Sequence, residues 1–244
     1  MSTKNVLLIG SSGGLGRYFA KGLAQKGYNV ALHYHNGKDN IEKLISELNT
    51  VKTKIEPYKA DITSEKDVSN LVENVNKDFG SIDILINNAG ITKDRICWKL
   101  EMEIWNEVLG VNLTGPFLCI KHTLPLMRKN NWGRIINISS VVPQLGVPGT
   151  SAYSASKSAL TGLTKTVSKE VIKNNITVNL IALGYFNTGI LFQIPPDIRE
   201  QIKENIPKHE FGNPEEILNC ISYLCGENAS YITGQTININ GGLY

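Results

Sequence analysis

The chain has 244 residues, enough for a single core to bury roughly 70 to 75% of the surface an unfolded chain exposes, so neither a disulfide nor a metal is needed to hold it. Its 25 Lys and Arg against 22 Asp and Glu leave a formal charge of +3 with no basic run interleaved with aromatics, which excludes nucleic acid as the main partner. Apolar residues at 41% exclude global disorder, and no apolar run approaches 18 residues, which excludes a membrane partner of the helix-spanning kind.

Short β-branched runs alternate with amphipathic windows from the first residues onward, the pattern of βαβ units around a parallel sheet. Strands are expected at 6–9, 29–33, 55–58, 82–87, 134–138, 177–182 and 236–239. Runs such as VLLI, IDILI and RIINI are apolar throughout, as parallel strands covered on both faces require. The expected fold is α/β, a doubly wound sheet of about seven parallel strands with helices on both faces, forming one domain over 1–244. Cys97, Cys119, Cys220 and Cys225 match no metal or disulfide spacing and are expected as reduced, mostly buried thiols in a cytoplasmic protein.

The first strand runs into a glycine-rich turn, Gly10, Ser11, Ser12, Gly13, Gly14, Leu15 and Gly16, ahead of a helical window at 17–26. Backbone N–H groups at a helix start receive phosphate, and side chains there would obstruct it, so the turn is a candidate dinucleotide site. The second strand ends at His33, Tyr34 and His35, where a carboxylate would hold a ribose 2′-hydroxyl. No carboxylate stands there, which favours NADP(H), while the lack of an arginine leaves NAD(H) open. His33 and His35 share one strand face but have no third ligand, so no metal is expected and the pair is assigned to packing or adenosine contact.

The fifth strand ends at Ser139 and Ser140, and a helical window from 153 to about 173 opens with Tyr153 and Lys157 on one face. An ammonium beside a phenol favours phenolate, so Lys157 is expected to lower the Tyr153 pKa and make it a proton donor near neutrality. A second copy of the spacing, Tyr34 and Lys38, falls in a glycine-bearing loop and is set aside. Residues 184–212 interrupt the rhythm, with Phe186, Ile190, Leu191, Phe192 and Ile194 around Pro195 and Pro196, and are expected to form a substrate lid.

Taken together, these motifs with NNAGITKD, GRIINISS, YSASK, PEEI, YITGQT and a terminal NGG resemble the short-chain dehydrogenase/reductase family over the whole chain. The chain is most similar to the branch that reduces 3-oxoacyl-(acyl-carrier-protein). The resemblance implies a Rossmann-like fold, a homotetramer and a catalytic tetrad of Asn112, Ser140, Tyr153 and Lys157, with Ser140 singled out by standing thirteen residues before the tyrosine. It assigns Asp61 and Ile62 to the adenine side, and Asn88, Ala89 and Gly90 to the fourth-strand turn. Gly184 and Thr188 fall near the nicotinamide, where Lys157 would hold its ribose, and Asn112 would anchor a relay water.

Three departures from the family pattern stand out: Ile9 replaces a threonine, Leu183 replaces a proline and predicts a looser loop, and Asn174 and Glu210 replace arginines. Arg128 and Lys129 remain as candidate docking residues for acyl carrier protein. The implied activity is reduction of a ketone or 3-oxoacyl thioester of acyl carrier protein or CoA. A dehydrogenase of cyclic, sugar or steroid alcohols and a non-catalytic dinucleotide sensor are the alternatives.

Overall fold

The computed structural model describes residues 3–188, 191–192 and 194–244. Its seven strands are β1 (Asn5–Ile9), β2 (Asn29–Tyr34), β3 (Ile55–Lys59), β4 (Ile84–Asn87), β5 (Gly133–Ser140), β6 (Ile176–Leu183) and β7 (Thr236–Ile239). All pair in parallel in the order β3-β2-β1-β4-β5-β6-β7. The expected strands are present, with the fourth starting at Ile84 rather than 82 and the fifth and sixth running on to Ser140 and Leu183.

Between them stand α1 (Gly14–Gln25), α2 (Lys38–Glu47), α3 (Glu65–Phe79), α4 (Met102–Leu109), α5 (Gly115–Lys129), α6 (Val142–Leu145), α7 (Ser151–Val171), α8 (Pro196–Asn205) and α9 (Pro214–Cys225). Alternation along each strand sorts the core into two layers. Val6 and Leu8 of β1 pack with Phe19 and Leu23 of α1, Ile41 and Leu44 of α2 and Ile217 and Ile221 of α9. Leu7 and Ile9 face the other way, onto α3, α5 and α7 through Val68, Leu71, Ile120 and Val167. Local chemistry sets the boundaries: Ser64 caps α3 by accepting the Asp67 N–H, and Asn213 with Glu216 forms a capping box on α9 with Pro214 at its first position.

Several expectations need correction. The segment 184–212 carries a helix of its own, α8; Phe192 within it is exposed, and Ile190 lies outside the described residues. Cys97 is exposed, because the turn after β4 carries it away from the core, while Cys119 and Cys225 are buried. Leu183 is the last, buried residue of β6, paired with Ser140 and Ile239, and its carbonyl accepts the Val141 N–H at 2.9 Å. An N–H-bearing residue there keeps strand pairing through the last position of β6. Among the described residues, no helix is long and apolar enough to cross a membrane.

Polar side chains cross the core between β4, β5 and α7. Asn87 Nδ2 donates to Asn137 Oδ1 at 2.8 Å, and Asn137 Nδ2 donates to Thr164 Oγ1 at 2.9 Å, all three residues buried. Asn137→Ala strips a partner from both neighbours at once and is expected to cost about 3 kcal/mol. Urea unfolding should show a lower midpoint at an unchanged slope.

Candidate active site

The strand order reverses between β1 and β4, so the chain leaves these neighbours toward opposite faces and a crevice opens at their carboxyl ends. The glycine turn lies on one side of it. Gly10 has φ +83° and lies against Ala89, where an added Cβ would come within 2.7 Å of the Ala89 Cα. Any side chain at Gly16 would run into the Gly10 carbonyl. Helix α1 has Gly13 as its N-cap and so no side chain capping it; the N–H groups of its first turn, Gly14 to Gly16, lack intrahelical partners and their positive dipole end is bare.

That arrangement suits a pyrophosphate. The two serines of the turn differ: Ser11 is buried, its hydroxyl donating to the Leu8 carbonyl at 2.9 Å and its N–H to the His33 carbonyl at 2.8 Å. It therefore braces the turn, while Ser12 stays partly open to the crevice beside the exposed Gly13. Asn88 supports the turn from β4, its Nδ2 donating to the Gly10 carbonyl at 3.0 Å.

On the adenosine side, Tyr34 ends β2 opposite Lys59, and the exposed His35 follows. Gly37, at φ +80°, brings this loop against Ser12. Asp61 accepts the Thr63 N–H at 2.9 Å and its hydroxyl at 2.8 Å, and the first of these bonds leads in holding its carboxyl below the usual range. The Ile62 side chain is buried in the core, so only its backbone can face a ligand. His33 is buried too: burial pushes its imidazole down to about 4, and backbone groups engage both ring nitrogens, leaving none for a metal.

At the reacting end, β5 delivers Ser140 and α7 delivers Tyr153 and Lys157. Ser140 Oγ accepts the Val142 N–H at 3.2 Å, which leaves its own hydrogen to be donated, toward the Tyr153 phenol. Lys157 is 4% exposed; its Nζ donates to the Ile138 carbonyl at 2.9 Å and stands 5.9 Å from the centre of the Tyr153 ring. Burial alone pushes its ammonium down to about 8. Tyr153 shifts against expectation. Loss of solvent raises its phenol, with Tyr185 and Asp94 adding to the rise and only the Ser140 hydroxyl opposing it. Lys157 is not among the groups that shift it, and its Nζ is directed at the Ile138 carbonyl.

Asn112 lies in a π-type turn, Gly110–Thr114, between α4 and α5. Its amide is heavily engaged: Oδ1 accepts the Ile91 N–H at 2.8 Å, and Nδ2 donates to the Ile91 carbonyl at 2.9 Å and to Ser156 Oγ at 3.1 Å. It clamps the loop after β4 to α7, so a relay water would have to use its backbone carbonyl or the remaining lone pair on Oδ1. Gly90 packs closely here: an added Cβ would crowd Lys157 Nζ at 3.2 Å and Asn112 Oδ1 at 3.4 Å. The bare helix start and the buried ammonium together fit a dinucleotide.

Gly184 packs against Asn240, where an added Cβ would lie 2.7 Å from the Asn240 Cα, and Thr188 is half-buried beyond it. A cavity of about 90 Å³ lies beneath the 184–212 segment, lined in part by Tyr185, Phe186, Lys208 and Asn240. The docking candidates are elsewhere. Arg128 and Lys129 close α5, and Asn174 precedes β6, all at the amino edge of the sheet. Ser140 is seven residues along β5 from that edge, or roughly 23 Å. The sequence reading missed Asp94 and Tyr185 beside Tyr153, and Ser156 on Asn112. Asp94 was visible inside the NNAGITKD motif, whereas the other two depend on packing.

A family model described as enoyl-(acyl carrier protein) reductase matches residues 9–244. A 3-oxoacyl-(acyl-carrier-protein) reductase of Staphylococcus epidermidis is 38% identical over 241 residues, covering 99% of each chain. Its namesake in Aquifex aeolicus is 39% identical over 239 residues, 98% of this chain and 96% of that one. That of Thermotoga maritima is 38% identical over 240 residues, covering 98% and 97%.

A lysine at about 8 in the fold but near 10.5 unfolded opposes folding fully below pH 8 and ceases to do so above about 10.5. The wild-type chain should therefore gain about 3 kcal/mol relative to Lys157→Met between pH 7 and 10.5. Paired denaturant titrations across that range check the difference, in which all other groups cancel.

Proposed function

Because the chain belongs to the short-chain dehydrogenase/reductase family, we propose that it reduces the keto group of 3-oxoacyl thioesters with NADPH. The observation that carries the reading is the pair of hydroxyls on Ser140 and Tyr153 at the carboxyl edge, backed by a buried cation at Lys157. The matching family model and the curated relatives name the same carrier but different bonds. Two hydroxyl donors converging on one oxygen, together with near full-length relatives named for 3-oxoacyl substrates, favour the carbonyl.

When bound, a reduced nicotinamide supplies the hydride. Ser140 donates its hydroxyl hydrogen to the carbonyl oxygen, where negative charge develops as the carbon is reduced. Tyr153 gives its proton to that oxygen, forming the alcohol. Lys157, cationic at pH 7, would donate to the ribose hydroxyls with the hydrogens not spent on Ile138. Asn112 keeps the Ile91 loop and α7 in register. The first turn of α1 receives the pyrophosphate, with Asp61 and the backbone of Ile62 flanking the adenine. Gly184 and Thr188 lie toward the carboxamide.

NADPH is favoured over NADH because the end of β2 presents Tyr34, His35 and then Lys38 instead of a carboxylate. We assign the whole chain to one catalytic domain, residues 184–212 to its lid, and the cytoplasm to its setting. The exposed apolar side chains Trp98, Met102 and Phe117, on and before α4 and α5, support association into a homotetramer. Acyl carrier protein or CoA carries the substrate. Arg128 and Lys129 lie at the opposite, amino edge of the sheet from Ser140, roughly 23 Å away along β5.

Purified protein should oxidise NADPH with acetoacetyl-CoA and leave crotonyl-CoA unchanged. Tyr153→Phe should lower kcat by about a thousandfold without weakening NADPH binding. Turnover of crotonyl-CoA alone would reverse the choice of bond, and turnover of neither, nor of cyclic, sugar or steroid ketones, would leave a dinucleotide sensor.

A further inference from the structure

His33 is the buried group at the carboxyl edge that hydride transfer leaves unused. Its residue is 2% exposed, and two backbone groups from different strand ends meet its ring. Nδ1 accepts the Gly10 N–H at 3.1 Å, and Nε2 lies 3.1 Å from the Ala60 carbonyl oxygen. An N–H can only donate and a carbonyl can only accept, so the ring is the neutral tautomer with its proton on Nε2. The same residue's carbonyl accepts the Ser11 N–H at 2.8 Å. One residue of β2 thus holds the turn after β1 by two bonds and the end of β3 by a third.

We propose that His33 is a positioning residue for the ADP half of the dinucleotide, a strut that sets the separation between the phosphate-facing glycine turn and the wall at Asp61 and Ile62. The assignment rests on the dinucleotide reading given above. Gly10 is braced on its other side by Ala89 and Asn88, so His33 supplies the opposing support that stops the turn rocking across the crevice. Removing the Nδ1 acceptor leaves the Gly10 N–H without its partner, and the turn must move to satisfy it. Removing the Nε2 donor does the same to the Ala60 carbonyl, next to Asp61. Either movement misplaces groups that touch phosphate or adenosine, while Ser140, Tyr153 and Lys157 hang from β5 and α7 and stay in place.

Three variants separate the two bonds. His33→Leu removes both, His33→Asn keeps an acceptor near Nδ1, and His33→Gln keeps a donor near Nε2. Direct fluorescence titration should show the NADPH Kd rising ten- to hundredfold in His33→Leu, with kcat at saturating NADPH within twofold of wild type and the KM for acetoacetyl-CoA unmoved. Inhibition by ADP should weaken by the same factor, since the strut acts on that half. The Asn and Gln variants should each recover part of the loss, and they carry the comparison if His33→Leu does not fold. Unchanged NADPH and ADP affinity in all variants that fold, or a fall in kcat with Kd intact, would overturn the strut alone. A wild-type chain that binds no dinucleotide would overturn the functional reading as well.

Discussion

A parallel sheet brings the carboxyl ends of all its strands to one edge, and reversal of the strand order between β1 and β4 parts the loops there. Every group assigned a role depends on that constraint. β1 supplies the glycine turn, β4 the Asn88–Gly90 bend, β5 Ser140 and β6 Gly184, so a phosphate site and a proton donor come within the span of one extended ligand. The helices contribute to the chemistry only where they meet this edge: α1 with its bare first turn, α7 with Tyr153 and Lys157. Burial of both sheet faces makes the edge rigid, because a strand covered on each side by apolar layers cannot shift without disturbing both.

The site is assembled largely by bonds between loops rather than by contacts to a ligand. Asn112 fastens the Ile91 backbone to α7, Asn88 fastens β4 to the glycine turn, and Ser139 Oγ donates to the Lys157 carbonyl at 3.1 Å. These are short polar side chains with few rotatable bonds, so fixing them costs little entropy and the reacting groups are placed before substrate arrives. The π-type turn at Asn112 belongs to the same scheme. A break in helical pairing turns that amide inward, where a regular helix would have placed another residue.

Much of this was legible in the sequence, and for identifiable reasons. Strands buried on both faces are uniformly apolar, so VLLI and RIINI declared themselves, and glycines at Gly10 and Gly16 are demanded by contacts no other residue allows. The spacing of Tyr153 and Lys157 on one turn of α7 was equally plain. What could not be read was direction. Nothing in the spacing says that Lys157 turns to the Ile138 carbonyl, that the phenol rises because it leaves water, or that His33 is clamped between two strand ends. Arg128 and Asn174 were likewise visible as charge and absence of charge, but only the fold places both at the edge away from Ser140. The extension of β6 through Leu183 escaped notice because a missing proline was judged by the loop it might have stiffened, not by the pairing that an N–H permits.

The buried ammonium of Lys157 has a consequence for the chain as an object inside a cell. An unliganded protein carries a cation that water can no longer reach, and a ligand bringing hydroxyls to that nitrogen solvates it in water's stead. Binding then acts on persistence as well as on turnover: by mass action, the folded fraction and its resistance to proteolysis rise with the concentration of dinucleotide.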